Sequence, residues 1–148
     1  MPIWKRTVTP ERINEVNMPN SMAGALGIEF TAIGDDFLEA RMEVGSRTKQ
    51  PFGFLHGGAT CALVETVGSI ASTLVVGYGE MECFGIELNA NHLKAVRDGW
   101  VSARATPLQL GRSLHVWDVR VMDEQKRLIC VGRLTVMVRP LKHEAPRA

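Results

Sequence analysis

Apolar and polar positions along the chain change period several times, and each change marks an element. Near the N-terminus, Thr9-Pro10-Glu11-Arg12 carries the capping hydroxyl, first-turn proline and early acid of a helix start. It predicts a short helix to about Asn17, then a helical turn over 21–26 stopped by Gly27. Alternation takes over from there. Residues 28–33 and 37–44 read as strands, and Gly34-Asp35-Asp36 between them makes the pair a hairpin. Four more strand-like runs fill the second half, at 82–96, 100–108, 114–122 and 128–138. In the first of these, Phe84, Ile86, Leu88 and Ala90 alternate with Gly85, Glu87, Asn89 and Asn91, the period of a half-buried strand. Arg97-Asp98-Gly99 and Asp123-Glu124-Gln125-Lys126 read as hairpin turns, with Leu110-Gly111-Arg112 joining the middle pair.

Between the two sets of strands lies one long helical pattern, about 58–76, ended by Gly77 and Gly79. At about 100° per residue, Leu63, Val67, Ile70 and Leu74 share one face, and Gly58, Cys61, Glu65, Ser69 and Ser72 the opposite one. The bulky face suits a sheet; the small, polar face lets a backbone or a ligand come close. The pattern predicts an α+β domain over 1–148, with a short helical N-terminal segment at 9–26 and a six-stranded antiparallel sheet curled around the long helix. Sheet edges and the sheet's other face then need cover, which predicts a homo-oligomer, a dimer or a dimer of dimers.

Composition narrows the function classes. The chain has 148 residues, 45% hydrophobic and 22% charged, ordinary values for a soluble domain with a real core. A formal net charge of +1 without a basic stripe argues against nucleic acid as a partner. Cys61, Cys83 and Cys130 lie far apart with no C-x-x-C, so neither a disulfide framework nor a metal site is expected. The start Met-Pro-Ile-Trp-Lys-Arg lacks the apolar core of a signal peptide, and Glu65 with Gly68, Ser69, Ser72 and Thr73 dilutes the long helix too far for a membrane span. The expectation is a cytoplasmic protein.

The candidate chemistry sits at that helix. From Gly57 to Gly79 the only charged residue is Glu65. A lone carboxylate in an apolar helix costs free energy unless it has partners or a task. The run opens with His56-Gly57-Gly58, so bare N–H groups stand at a helix start, suited to an anion or a polarised carbonyl.

Gln50-Pro51-Phe52-Gly53, Leu55-His56-Gly57-Gly58-Ala59, Glu65-Thr66-Val67-Gly68-Ser69, Glu87-Leu88-Asn89-Ala90 and Leu110-Gly111-Arg112 together resemble the hotdog-fold acyl-CoA thioesterases of the 4-hydroxybenzoyl-CoA type. Within these, the similarity is to the bacterial 1,4-dihydroxy-2-naphthoyl-CoA hydrolases and the proofreading thioesterase of enterobactin synthesis. It spans nearly the whole chain. The resemblance implies a catalytic set of Glu65, Gln50, His56, Gly57 and Ser69. Glu65 would be nucleophile or general base, and the Gly57 N–H would polarise the thioester carbonyl. Gln50 and His56 would hold that carbonyl or a water, and Ser69 would orient the carboxylate. It also implies that the pocket forms between subunits, with Gln50, His56 and Gly57 from one and Glu65 and Ser69 from the other. Gly58, Thr66, His92, Lys94, Gly111 and Arg112 are the candidates for binding acyl-CoA, which is substrate, with no separate cofactor. The segment Asn91-His92-Leu93-Lys94-Ala95-Val96 departs from the family's proline-containing stretch, and Lys94 and Arg112 are the candidates for phosphate contacts, as cations near an exposed sheet edge.

Structural roles compete with these assignments. His56 is placed to cap the helix, Gln50 to bond its own turn, and Ser69 to serve a close helix contact. Trp4, Trp100 and Trp117 read as packing residues, and His92 and His115, on strand patterns, as structural. Rival functions are an acyl-carrier-protein or broad medium-chain thioesterase, a hotdog hydratase using a His base, and a non-catalytic acyl-CoA-binding protein.

Overall fold

The computed structural model describes residues 1–142. Helix α1 (Pro10–Asn17) begins where the cap signals put it, with the Thr9 hydroxyl accepting from the Arg12 N–H at 3.3 Å. Its Ile13 is buried. Asn14 clasps Phe30 of strand β1 (Glu29–Ile33) twice, donating to its carbonyl at 3.0 Å and accepting its N–H at 2.8 Å. Helix α2 (Met22–Ala25) is capped by Ser21, which accepts the Gly24 N–H at 3.1 Å. The N-terminal segment is thereby fastened along the sheet's first edge.

Strand β2 (Leu38–Glu43), helix α3 (Gly57–Val76) and strands β3 (Met81–His92), β4 (Trp100–Leu110), β5 (Leu114–Asp123) and β6 (Leu128–Pro140) follow. The order across the sheet is β1-β2-β4-β5-β6-β3, every neighbouring pair antiparallel. One expectation is corrected here. Arg97-Asp98-Gly99 is not a hairpin turn, because β3 and β4 are not neighbours. β2 occupies one side of β4 from Leu38↔Ala105 to Glu43↔Trp100, and β5 occupies the other. β3 pairs instead with the free side of β6, from Met81↔Pro140 to His92↔Cys130. The segment 93–99 crosses back beneath the sheet's end, held by Leu93 N–H to Ile129 O at 2.7 Å and Val44 N–H to Gly99 O at 2.8 Å.

α3 lies on the concave face, and its approach to β6 is set by small residues on both sides. A Cβ at Gly68 would stand 2.6 Å from Leu134 Cδ2, and one at Gly132 2.9 Å from Val64 Cγ1. Leu63, Val64, Val67 and Ala71 are wholly buried, the leucine and valine side chains contributing roughly 1.5–3 kcal/mol each. The close approach along Val64, Gly68 and Ala71 rotates the buried arc past the one that Leu63, Val67, Ile70 and Leu74 define. Ser72, placed by periodicity on the open polar face, is therefore 0% exposed. Its hydroxyl accepts from Trp117 Nε1 at 2.8 Å and meets His115 Nδ1 at 3.1 Å. Trp4 closes this corner, stacked on Trp117 with ring centroids 6.4 Å apart, and donates to Gly34 O at 2.6 Å. α3 is long and apolar enough to cross a membrane, yet it is the core helix of the fold.

Candidate active site

The loop from β2 to α3 is short of regular structure but tightly tied. Thr48 is buried and donates to Glu43 O at 2.7 Å while accepting the Gly45 N–H at 3.0 Å. Beyond it Gln50 N–H bonds Phe54 O at 2.8 Å, and Gly53 makes the turn at φ 85°. Leu55 N–H to Val96 O and His56 N–H to Thr48 O, both 2.8 Å, deliver the chain to the helix start in one fixed direction. The Arg97 guanidinium covers the Phe54 ring at 4.0 Å.

At that start the donors are divided between two uses. His56 is the N-cap, and its Nδ1 accepts the Gly58 N–H at 2.7 Å. That bond makes Nδ1 an acceptor, so neutral His56 carries its proton on Nε2 and offers that N–H outward. The Ala59 and Thr60 N–H groups return to His56 O at 3.0 and 3.2 Å. Among the described residues, the Gly57 N–H has no acceptor. It opens on a cavity of about 400 Å³, whose lining includes Gln50, Gly57, Thr60, His92 and Lys94. The Gln50 carboxamide oxygen is taken by the Phe52 N–H, which leaves its NH₂ as the group it can offer. His92 stands against the helix start: a Cβ at Gly57 would lie 3.1 Å from His92 Nε2.

Glu65 lies two turns further along α3, half-buried, with Ser69 donating to its Oε1 at 3.0 Å. Its carboxylate rests on Gly85 of the edge strand β3, where a Cβ would stand 2.7 Å from Glu65 Cδ. Thr66 beside it turns its hydroxyl inward to Ala62 O at 2.7 Å.

The fold thus brings the sequence-derived residues together in two groups, not one. Gln50, His56, Gly57, Gly58, His92 and Lys94 gather at the N-terminus of α3; Glu65 and Ser69 lie apart. The eight-residue spacing from Gly57 to Glu65 is about 12 Å along the helix, too far for one carbonyl to touch both. Gly111 and Arg112 sit at the β4–β5 turn, at the opposite end of the sheet from Lys94. The row through His92 crosses β5 at Val121, nine residues or about 30 Å from Arg112. Thr60 and Gly85 were not singled out by the sequence. The signal for Thr60 is its place one turn after Gly57; for Gly85 it is a glycine inside an alternating strand, which marks close approach.

Cys130 also borders the cavity, but burial, with the Cys61 thiol nearby, pushes its thiol up to about 11, so it is no nucleophile near neutral pH. Among the described residues no group of three or more His, Cys, Asp or Glu is placed to share a metal ion.

Comparison with known proteins identifies the family. The thioesterase superfamily profile matches residues 52–130, from the loop before α3 to β6. The chain is 48% identical over 136 residues to a 1,4-dihydroxy-2-naphthoyl-CoA hydrolase of Escherichia coli, covering 92% of this chain and 98% of that one. It is 46% identical to a proofreading thioesterase of Cronobacter turicensis, with the same coverage of both chains. In three dimensions it is similar to a thioesterase of Haemophilus influenzae, with a TM-score of 0.91, 47% identity, and coverage of 97% and 99% of the two chains. The long helix, the six-stranded antiparallel sheet and these relatives make the protein a hotdog-fold hydrolase of the thioesterase superfamily.

Proposed function

We propose that the protein hydrolyses acyl-CoA thioesters to a free acid and coenzyme A, with a preference for aromatic acyl groups. The observation that carries this is the unpaired Gly57 N–H facing a cavity beside Gln50 and Lys94. A thioester carbonyl seated there gains negative charge as the tetrahedral species forms, and one fixed donor is worth about 3–4 kcal/mol at that moment. The Gln50 NH₂ in the cavity lining adds a donor, oriented by the bond its oxygen makes to the Phe52 N–H, and the His56 Nε2–H beside it is oriented by the bond of Nδ1 to the Gly58 N–H.

The carboxylate comes from a second copy. Residue 61 is midway between Gly57 and Glu65, so two antiparallel copies of α3 crossing near Cys61 put Gly57 of each beside the partner's Glu65. Glu65 lies over β3, the last strand of the sheet, on which Phe84 is 44% exposed and Ile86 55% exposed. Those are the features of a sheet edge that another chain covers. Glu65 then either attacks the carbonyl carbon, expelling the thiolate and leaving an anhydride that water cleaves, or takes a proton from water whose oxygen attacks, the proton passing to the departing sulfur. Ser69 holds the carboxylate for either route. Lys94 borders the cavity and is the cation placed for the coenzyme A phosphates; Arg112 reaches the same ligand only from another copy.

Release of free thiol from benzoyl-CoA, 4-hydroxybenzoyl-CoA and hexanoyl-CoA tests the proposal. The expected result is turnover fastest with an aroyl group and reduced about 10²–10⁴-fold in Glu65→Ala. Full activity in Glu65→Ala overturns the role of the carboxylate. Binding without thiol release overturns the hydrolysis, and a flat or reversed preference overturns the aroyl class.

A further inference from the structure

We infer that Gly85 is a positioning residue for the reaction: its missing side chain is the seat on which the Glu65 carboxylate is held. The inference rests on the reading of Glu65 as the catalytic carboxylate. Gly85 has no conformational need to be glycine, since it is absent from the residues of positive φ. It lies within β3, where glycine weakens a strand for want of a side chain to pack. Space is what it provides. A Cβ there would overlap Glu65 Oε1 outright and stand 2.7 Å from Cδ and 2.8 Å from Oε2.

Two contacts bear on where the carboxylate sits. Ser69 holds Oε1 from the helix side at 3.0 Å, and the bare backbone of Gly85 forms the floor. The ladder between β3 and β6 is irregular at this place: Gly85 faces Val136 but Glu87 faces Thr135, so Ile86 is the extra residue. Such a bulge re-aims a strand next to a site. Here it coincides with the strand residue that the carboxylate touches. A methyl group at position 85 forces the carboxylate back by on the order of 1 Å, the scale of misplacement that costs about 10²-fold in rate.

The test compares Gly85→Ala in two backgrounds, with Glu65 present and in Glu65→Ala. With Glu65 present, kcat for benzoyl-CoA falls about 10²-fold at nearly unchanged KM and unchanged oligomer size. Thermal unfolding reads the contact itself: the change in Tm on Gly85→Ala is less favourable when Glu65 is present than when residue 65 is alanine. A Gly85→Ala protein with wild-type kcat, or one whose Tm changes equally in both backgrounds, overturns the inference. An active Glu65→Ala protein instead overturns the catalytic reading beneath it, so the two failures are told apart.

Discussion

Deleting one hydrogen atom at the start of α3 isolates the proposed carbonyl-polarising donor. Gly57 occupies the first helical position, where proline is favoured because its missing N–H has no intrahelical partner. The residue before a proline must be extended, and His56 already is, at φ −69° and ψ 130°. Gly57→Pro therefore removes the donor and leaves the helix its remaining caps. Its ring carbon meets His92, since a Cβ stands 3.1 Å from Nε2, so Gly57→Ala is the control: it adds the same first carbon and keeps the N–H. An oxyanion donor is worth about 3–4 kcal/mol, or 10²–10³ in kcat. The expected result in a thiol-release assay is that Gly57→Pro is slower than Gly57→Ala by that factor, with similar KM and Tm. Equal kcat for the two variants refutes the assignment of the Gly57 N–H.

Further outcomes follow from the geometry. His56→Ala loses the cap on the Gly58 N–H and about 1 kcal/mol of stability in denaturant unfolding, while His56→Asn keeps a capping oxygen and most of that stability but not the rate that the Nε2–H supports. The His115 imidazole is held below its ordinary value by burial, against a smaller opposite pull from the Gly111 backbone. The unfolded chain then takes up a proton that the folded one refuses, so stability declines as pH falls below about 6.5 and levels off once the folded imidazole protonates. His115→Gln removes this step in unfolding measurements between pH 8 and 5. Burial pushes the Asp123 carboxyl up, but its bonds to Arg127 and Gln125 with the Arg127 charge together outweigh that and hold it below its ordinary value, and its loss of stability comes at lower pH, separate from that window.

Local signals made most of the elements legible. Thr9-Pro10, Ser21 and Gly27 placed the N-terminal helices, and the run behind His56-Gly57-Gly58 placed α3 within a residue. The β3–β4 connection misled because Arg97-Asp98-Gly99 has the chemistry of a tight turn, while the pairing of β3 is decided by which sheet edge remains free, a non-local fact. Ser72 misled because α3 is apolar around much of its circumference, so periodicity fixes its rotation only loosely; the close packing at Gly68 and Gly132 decides it. At the site, the lone charge of Glu65 and the glycines of the helix start were readable. The seat at Gly85 was not, since it depends on which strand lies beneath the helix.

A site that takes its proposed donor from one subunit and its carboxylate from another is revealed by mixing subunits. Glu65→Ala and Gly57→Pro are each expected to turn over at least about 10²-fold slower alone. Co-expressed, half of randomly formed dimers are mixed and each mixed dimer holds one intact site of two, so the account predicts recovery to about a quarter of wild-type turnover. Mixed dimers, verified by mass, that turn over no faster than the parent variants contradict it.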